Sequence, residues 1–230
     1  MTGKHATALE IVAILQSMAN PHNVAGMARF GISINNTLGV SVPQMRKLAA
    51  GIKKDHTLAL QLWETGIHEA RIVATMIDAP KLVTPEQMES WAKDFDSWDV
   101  CDQACMGLFS HTPLGIEKAR QWSERKEEFV KRAGFALMAS LALGKKEASE
   151  EQLAAFLSDI EREAGDERNF VKKAVNWALR QIGKKNPCLN KLAVETAERI
   201  RKQDSKSARW IAADALRELT GEAVRVRLNK

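Results

Sequence analysis

Apolar residues recur every three or four positions along most of the chain. Ile11, Leu15 and Met18 form one such row near the start, and Ala174 and Ala178 belong to another in the last third. This spacing is typical of amphipathic α-helices. No alternation of apolar and polar residues persists, and the Asn-Gly and Asp-Gly turns of tight hairpins are missing from the sequence. The pattern therefore predicts an all-α fold.

Short motifs mark where these helices start and stop. Thr84-Pro85-Glu86-Gln87 predicts a capping residue, a proline at the first helical position and a glutamine that closes a capping box. Ser149-Glu150-Glu151-Gln152 predicts a second box, while Thr112-Pro113 and Asn186-Pro187 predict two further helix starts. Glycines stand where helices are expected to end: Gly66, Gly144 and Gly183.

The helices follow a soft repeat. Pairs of helices are predicted to begin near Pro43, Pro85, Lys126, Arg168 and Ser205, about 40 residues apart, as in HEAT-like repeats. Such a repeat predicts an α-solenoid, whose concave face can hold a rod-shaped partner, and a compact helical bundle is the alternative. No linker or low-complexity segment divides the chain, so we expect one domain over residues 1–230.

Positive charge is concentrated in the last third of the chain. Residues 168–230 contain 16 Lys and Arg against 6 Asp and Glu, whereas the preceding residues contain 18 against 23. This asymmetry predicts a concave face that is basic and binds a polyanion. Solvated helix faces that bind nothing are the alternative interpretation.

Other features narrow the class of protein. The apolar runs are too short to span a bilayer, and Met1–Leu15 lacks the pattern of a secretion signal. The 3 cysteines cannot all pair within the chain, which favours a reducing, cytoplasmic location. Cys101 and Cys105 share a helix face, but no second pair completes a zinc site. We expect no metal, no organic cofactor and no membrane partner.

The segment Phe95–Asp102 contains the strongest candidate for chemistry. If it opens a helix, Trp98 and Asp102 lie four residues apart and share a face with Phe95, Cys105 and Phe109. Asp102 then interrupts an apolar row, and an unpaired buried carboxylate costs free energy. A structural partner and a catalytic role are both open at this point.

Arginines beside apolar rows have two possible roles. The candidates are Arg46, Arg71, Arg132, Arg180 and Arg209, and each can pair with a buried acid or contact a phosphate. The role of Trp177 is similarly undecided, because a tryptophan at helical spacing usually belongs to the core but can also offer its face to a cation.

Four segments in order resemble the AlkD-like DNA alkylation repair family. The first is Met27-Ala28-Arg29-Phe30 with Leu38-Gly39-Val40, Pro43 and Arg46. The second is Ser97-Trp98-Asp99-Val100-Cys101-Asp102, the third Lys131-Arg132-Ala133, and the fourth runs from Ala174 to Arg180 before Asn186-Pro187. The resemblance covers residues 20–187, and Arg209-Trp210-Ile211-Ala212 fits it less clearly.

The resemblance implies a HEAT-like solenoid that excises cationic N3- or N7-alkylated purines from duplex DNA. It implies that Asp102 is the catalytic carboxylate, that Trp98 and Trp177 line the lesion pocket, and that Arg132 holds the DNA backbone. We expect Phe30, Arg46, Arg180 and Arg209 to contact DNA as well. A monomer suits a solenoid with one working face.

The sequence departs from the family pattern at two positions. Phe30 stands where a tyrosine is expected, and Ser97 stands where members can carry a second tryptophan. Both changes leave Trp98 and Asp102 in place but could narrow the range of lesions. Two rival functions stay open, a non-catalytic solenoid that recognises distorted or branched duplexes and a protein-binding scaffold.

Overall fold

The structure, a computed structural model, describes residues 6–144 and 148–229, and these ranges contain helices and no β-strand. Met1–His5, the start of the stretch in which we expect no secretion signal, lie outside them. In chain order the helices of the described ranges are α1 (Ala8–Ser17), α2 (Pro21–Ala28), α3 (Val42–Ala50), α4 (His56–Glu64), α5 (His68–Ile77), α6 (Pro85–Lys93), α7 (Trp98–Gly107), α8 (Gly115–Ser123), α9 (Glu128–Leu143), α10 (Glu150–Glu163), α11 (Asn169–Gly183), α12 (Pro187–Arg201), α13 (Lys206–Leu219) and α14 (Glu222–Leu228).

The backbone groups into two compact units, Met1–Thr112 and Pro113–Lys230. Each unit is described by itself below. The expectation of a single domain over the whole chain stays a prediction.

In the first unit, one row of helices is formed by α3, α5 and α7, which pack in succession. Helix α4 packs on α5, and α1 contacts both. Helix α6 joins α4 through Trp91, whose ring stacks on Trp63 at 3.9 Å with an interplanar angle of 3°. Both indoles are fully buried, so this stacked pair belongs to the unit's core.

The second unit has two rows of helices. Helices α9, α11 and α13 pack in succession as one row, and α8, α10 and α12 form the other. Helices α8 and α9 approach closely, since a Cβ on Gly134 would lie 2.5 Å from the backbone nitrogen of Ser123. Only glycine fits at that position, which is why an otherwise poor helix former stands in the middle of α9.

The predicted repeat is visible in the helix starts and in the contacts. Helices α3, α6, α9, α11 and α13 begin within two residues of the five predicted points. In the second unit, side-chain hydrogen bonds join equivalent positions of successive repeats. Asn176 binds Asp214 and Arg180 binds Glu218, in each case 38 residues apart.

Most predicted helix boundaries are confirmed. The Ser149 capping box is present, and Asn186 caps α12, whose first residue is Pro187. The Thr84 box is only half formed. Thr84 accepts from the Gln87 backbone N–H, but Gln87 Nε2 donates to Asp78 Oδ2 at 2.6 Å instead of closing the box. That part of the prediction was wrong because the buried Asp78 carboxylate competes for the same amide.

Candidate helix ends fall near their glycines. Gly144 caps α9, Gly183 is the last residue of α11, and Gly66 follows α4 with a φ of 67°. Across the described ranges, we find no helix with both the length and the apolarity needed to cross a membrane.

Candidate functional site

Trp98 and Asp102 lie one helical turn apart at the start of α7. Both side chains are half-buried, whereas Cys101 and Cys105 beside them are fully buried. Phe95 and Phe109, expected on the same helical stripe, lie just outside α7 and belong to the core. The stripe therefore opens to the surface at Trp98 and Asp102, and Asp102 is not a core residue.

The loop that follows α2 is fastened to the first turn of α7. Trp98 Nε1 donates to the Phe30 carbonyl oxygen at 3.1 Å, and Ser97 Oγ accepts from the Ser33 backbone N–H at 2.8 Å. The Phe30 side chain is 72% exposed. Ser97 is itself fully buried, so the small hydroxyl residue at this position makes a contact that a second tryptophan would not.

The far end of the same loop is held by a buried carboxylate. Glu69, at the second position of α5, accepts hydrogen bonds from the backbone N–H groups of Leu38, Gly39 and Val40 at 2.7–3.2 Å. Gly39 has a φ of 78°, and a Cβ there would lie 2.2 Å from the Asn20 carbonyl oxygen. The position accepts glycine alone, which explains the Leu38-Gly39-Val40 motif.

A histidine–aspartate pair ties α5 to α7 beside Trp98. His68 Nε2 lies 2.9 Å from Asp99 Oδ2, and the imidazole is buried. Burial by itself would lower the pKa of His68, but the hydrogen bond and the charge of Asp99, with Glu69 and Asp96, raise it above the ordinary value. The His68 backbone N–H also donates to the Asn36 carbonyl oxygen of the loop at 3.0 Å. The pair therefore ties the first turn of α7 to the end of α5 that holds the loop.

The remaining candidate of the first unit is Arg46. It lies on α3 and is exposed. Within the described residues it forms no ion pair, so its guanidinium is available to an external anion.

In the second unit, Arg132 lies on α9 and is only 6% exposed. Its Nη1 donates to the Phe170 carbonyl oxygen at 2.7 Å, which links α9 to the first turn of α11. Neighbouring Lys131 binds Glu163 Oε2 at 2.5 Å. Arg132 therefore has a bracing contact whether or not it also contacts DNA.

Trp177 and Arg180 lie on α11 with different surroundings. Trp177 is half-buried, like Trp98. Arg180 Nη1 binds Glu218 Oε2 at 2.6 Å and lies 3.5 Å from Asp214 Oδ2, both on α13. Burial would raise the pKa of Glu218, but Lys184 and Arg180 lower it below its usual value. Arg180 thus has the structural partner that the sequence left open.

Arg209 lies on α13 and is exposed. Its Nη1 lies 3.3 Å from Oδ1 of Asp204, a carboxylate that is itself fully exposed. Such a pair in water contributes little free energy and exchanges easily for another anion.

The candidate helical residues share one feature of placement. In the first unit Arg46, Trp98 and Asp102 lie on the row formed by α3, α5 and α7, and Trp98 holds Phe30 beside it. In the second unit the candidates lie on the row formed by α9, α11 and α13. A single row of helices in each unit therefore carries them.

No cluster of metal ligands was found among the described side chains. Cys101 and Cys105 are buried, and Cys188 is exposed. The polar groups around the first turn of α7 include the Asp99 and Asp102 carboxylates, the Ser97 hydroxyl and the His68 imidazole, which can position water or stabilise a cation.

Sequence reasoning missed the groups that hold Trp98 in place. The Ser33–Ser97 contact joins residues 64 positions apart, and no local sequence motif predicts it. His68 and Glu69 carried a weak signal, since two polar residues open a helix whose other positions are almost all apolar.

Comparison with known proteins identifies the family. The model of a family described as DNA alkylation repair enzyme matches residues 11–219. The chain belongs to the DNA alkylation repair enzyme family. The match includes the last segment, Arg209–Ala212, which resembles the family less clearly by eye.

Two further comparisons find proteins that are similar to this DNA alkylation repair enzyme family member. A Listeria innocua protein called uncharacterized protein Lin0241 is 22% identical over 192 residues, which is 82% of this chain and 84% of that protein. A solved structure with a TM-score of 0.78 and 19% identity covers 97% of this chain and 96% of its own. It is described as a new family of proteins related to the HEAT-like repeat DNA glycosylases, with affinity for branched DNA structures. The chain therefore has the HEAT-like repeat fold.

Proposed function

We propose that the protein is a monofunctional DNA glycosylase that hydrolyses the N-glycosidic bond of cationic N3- or N7-alkylated purines in duplex DNA. The observation that carries the proposal is the pair formed by Trp98 and Asp102, one turn apart and half-open to solvent in a DNA alkylation repair enzyme family member. A cytoplasmic, monomeric protein remains our expectation.

The chemistry needs few groups. A purine alkylated at N3 or N7 already carries a positive charge and is a good leaving group, so no acid has to protonate it. Most sugar hydrolases use two carboxylates, whereas one suffices for such a leaving group. As the bond breaks, the sugar develops oxocarbenium character, and the Asp102 carboxylate stabilises that charge and positions the attacking water.

The indoles provide selectivity. The face of a tryptophan attracts a cation by about 0.5–2 kcal/mol, which favours an alkylated base over a neutral one. We assign this role to Trp98 and Trp177. The hydrogen bond from Trp98 to the Phe30 carbonyl fixes the plane of its indole, so the cost of ordering the ring is met before DNA binds.

The other candidates are proposed as DNA contacts of different strength. Arg46 and Arg209 are exposed and suit phosphates directly. Phe30 offers an apolar edge without the hydroxyl of a tyrosine. Arg132 and Arg180 already hold neighbouring helices, so any contact of theirs with DNA adds to a structural role.

The test is release of alkylated base from methylated duplex DNA. Wild type should release 3- or 7-methylpurine, and Asp102→Asn should lower the rate by roughly 10²–10³-fold with DNA affinity nearly unchanged. Asp96→Asn is the matched control, because Asp96 is an exposed carboxylate just before α7. It should retain full activity.

Two results would contradict the proposal. Equal rates for wild type and Asp102→Asn would remove Asp102 from the chemistry. An Asp102→Asn variant that is unfolded at ordinary temperature would make the carboxylate a structural partner.

The second candidate function is binding of branched duplexes without base excision. The observation in its favour is the similarity, at a TM-score of 0.78, to a structure described as having affinity for branched DNA. Wild type that binds a four-way junction more tightly than linear duplex, and releases no methylated base, would establish this function in place of the first.

A further inference from the structure

Helix α13 exposes a basic stripe that contains one tryptophan. Its buried side is formed by Ala208, Ile211, Ala212 and other small or apolar residues. Residues three, four and seven apart share the opposite face. The exposed residues on that face are Lys206, Arg209, Trp210, Ala213 and Arg217.

The acids of α13 bind side chains of α11. Asn176 Nδ2 donates to Asp214 Oδ2 at 2.7 Å, and both Arg180 and Lys184 bind Glu218 at 2.6 Å. The cations of α11 therefore hold the carboxylates of α13 at the α11–α13 contact. The exposed stripe is left with an excess of positive charge, although Arg217 also pairs with Asp214 and Arg209 with the fully exposed Asp204.

Trp210 is unlike the other tryptophans of the described chain. Trp63, Trp91 and Trp122 are fully buried, and Trp98 and Trp177 are half-buried, but Trp210 is 42% exposed. Lys172 of α11 places its Nζ 5.1 Å from the centre of the Trp210 ring. A cation over the ring orients the indole while leaving part of it in water.

We propose that this stripe extends the DNA-binding surface to unpaired DNA, with Trp210 stacking on an unpaired base while Lys206 and Arg209 contact the flanking phosphates. An aromatic ring among cations is the arrangement that binds single strands, since every base has a face that stacks and every nucleotide has a phosphate. The surface requires no base excision, so it goes beyond the glycosylase activity proposed above. Its substrate class is duplex DNA that contains a single-stranded segment.

The experiment uses the full chain and two labelled DNAs. One is a short linear duplex, and the other is the same duplex with a gap of unpaired thymidines in one strand. Fluorescence anisotropy gives both dissociation constants. Wild type should bind the gapped DNA more tightly, and Trp210→Ala should weaken binding to the gapped DNA by about 5- to 100-fold with little change for the duplex.

Matched variants separate stacking from folding. Trp210→Phe retains an aromatic face and should restore most of the preference for gapped DNA. Val226→Ala, which shortens an exposed apolar residue on α14, should leave both dissociation constants unchanged. Circular dichroism of Trp210→Ala should match that of wild type, because the side chain is outside the core.

Arg209→Ala tests the phosphate contacts. It should weaken binding to gapped DNA and lower the magnitude of the salt slope by about 0.7–0.9, the contribution of one phosphate contact. Arg201→Ala removes an exposed arginine from α12 in the other row and should leave the slope unchanged.

Two outcomes would overturn the inference. Either wild type binds the two DNAs equally, or Trp210→Ala retains the full preference. Failure of the glycosylase proposal is separate. If wild type releases no methylated base but prefers gapped DNA through Trp210, the glycosylase proposal is contradicted and the proposal for the α13 stripe is supported.

Discussion

Arg132 shows how one side chain can serve two roles. It is 6% exposed, and its guanidinium donates to the Phe170 carbonyl across the α9–α11 contact. Removing a charged donor from a buried acceptor costs about 1.5–3 kcal/mol. We expect Arg132→Ala to lower the free energy of unfolding by that amount, measured by urea denaturation. Arg201→Ala, at an exposed ion pair, should change it by less than about 1 kcal/mol.

The same variant tests the DNA contact that we assign to Arg132. If the guanidinium also reaches a phosphate, Arg132→Ala should weaken DNA binding and flatten its salt dependence. An unchanged salt slope would leave Arg132 with the bracing role alone. Binding should be measured well below the melting temperature of the variant, so that unfolding is not mistaken for the loss of a DNA contact.

At the scale of residues, sequence predicted local contacts better than distant ones. The Ser149 capping box follows from residues three apart and is present. Gln87 fits the same rule but binds Asp78, nine residues earlier. Ser97 departs from the family pattern, and its contact with Ser33 depends on a fold that brings together residues 64 positions apart. Local rules fail where a buried polar group elsewhere offers a better partner.

At the scale of elements, the His68–Asp99 pair couples α5 to α7 and brings a pH dependence. The pKa of His68 is raised in the folded chain, above the unperturbed value of about 6.5. The folded state therefore binds a proton at His68 more tightly than the unfolded state does. Its contribution to stability is fully present below pH of about 6.5 and is lost as the pH rises through the folded pKa.

Thermal unfolding between mildly acid and mildly alkaline pH measures this contribution. The melting temperature of wild type should exceed that of His68→Gln most at the acid end, and the difference should shrink as the pH rises. His22→Gln, at an exposed histidine on α2, provides the control. A difference that stays constant with pH would show that the pair does not depend on the charge of His68.

Helix positions were predictable because their signals are local. Helical periodicity and prolines at first helical positions placed α6 and α12 correctly. The start expected at Thr112-Pro113 was early, since α8 begins at Gly115. A 3₁₀ turn over Phe109–His111 precedes it, and Thr112 Oγ1 donates to the Phe109 carbonyl oxygen. The threonine therefore closes the preceding turn instead of capping the helix.

At the scale of the whole molecule, the sequence predicted the repeat but not the groups that hold the site in place. A spacing of about 40 residues predicted the helix starts, because each repeat must offer the same kind of core face to its neighbours. Trp98 and Asp102 could be paired from helical periodicity alone. The loop, His68 and Ser97 that hold Trp98 are set by tertiary packing, and only the structure brings them together.

The uneven distribution of charge along the chain predicts how DNA binding depends on salt. Residues 168–230 contain 16 basic and 6 acidic side chains, whereas the residues before them are acidic on balance. A DNA-binding chain should then lose affinity steeply with salt and draw its phosphate contacts mainly from the last third. A protein-binding scaffold should show neither property. Duplex binding measured over a range of salt concentrations separates the two.

A pair of matched lysines locates the contacts. Lys173 is exposed on α11, one turn before Trp177, and Lys53 is exposed between α3 and α4 in the first unit. Lys173→Gln should lower the magnitude of the salt slope by about 0.9, since one phosphate contact is lost. Lys53→Gln removes the same charge from the acidic part of the chain and should leave the slope unchanged. Equal effects of the two substitutions would mean that net charge, and not a defined surface on the last third, governs DNA binding.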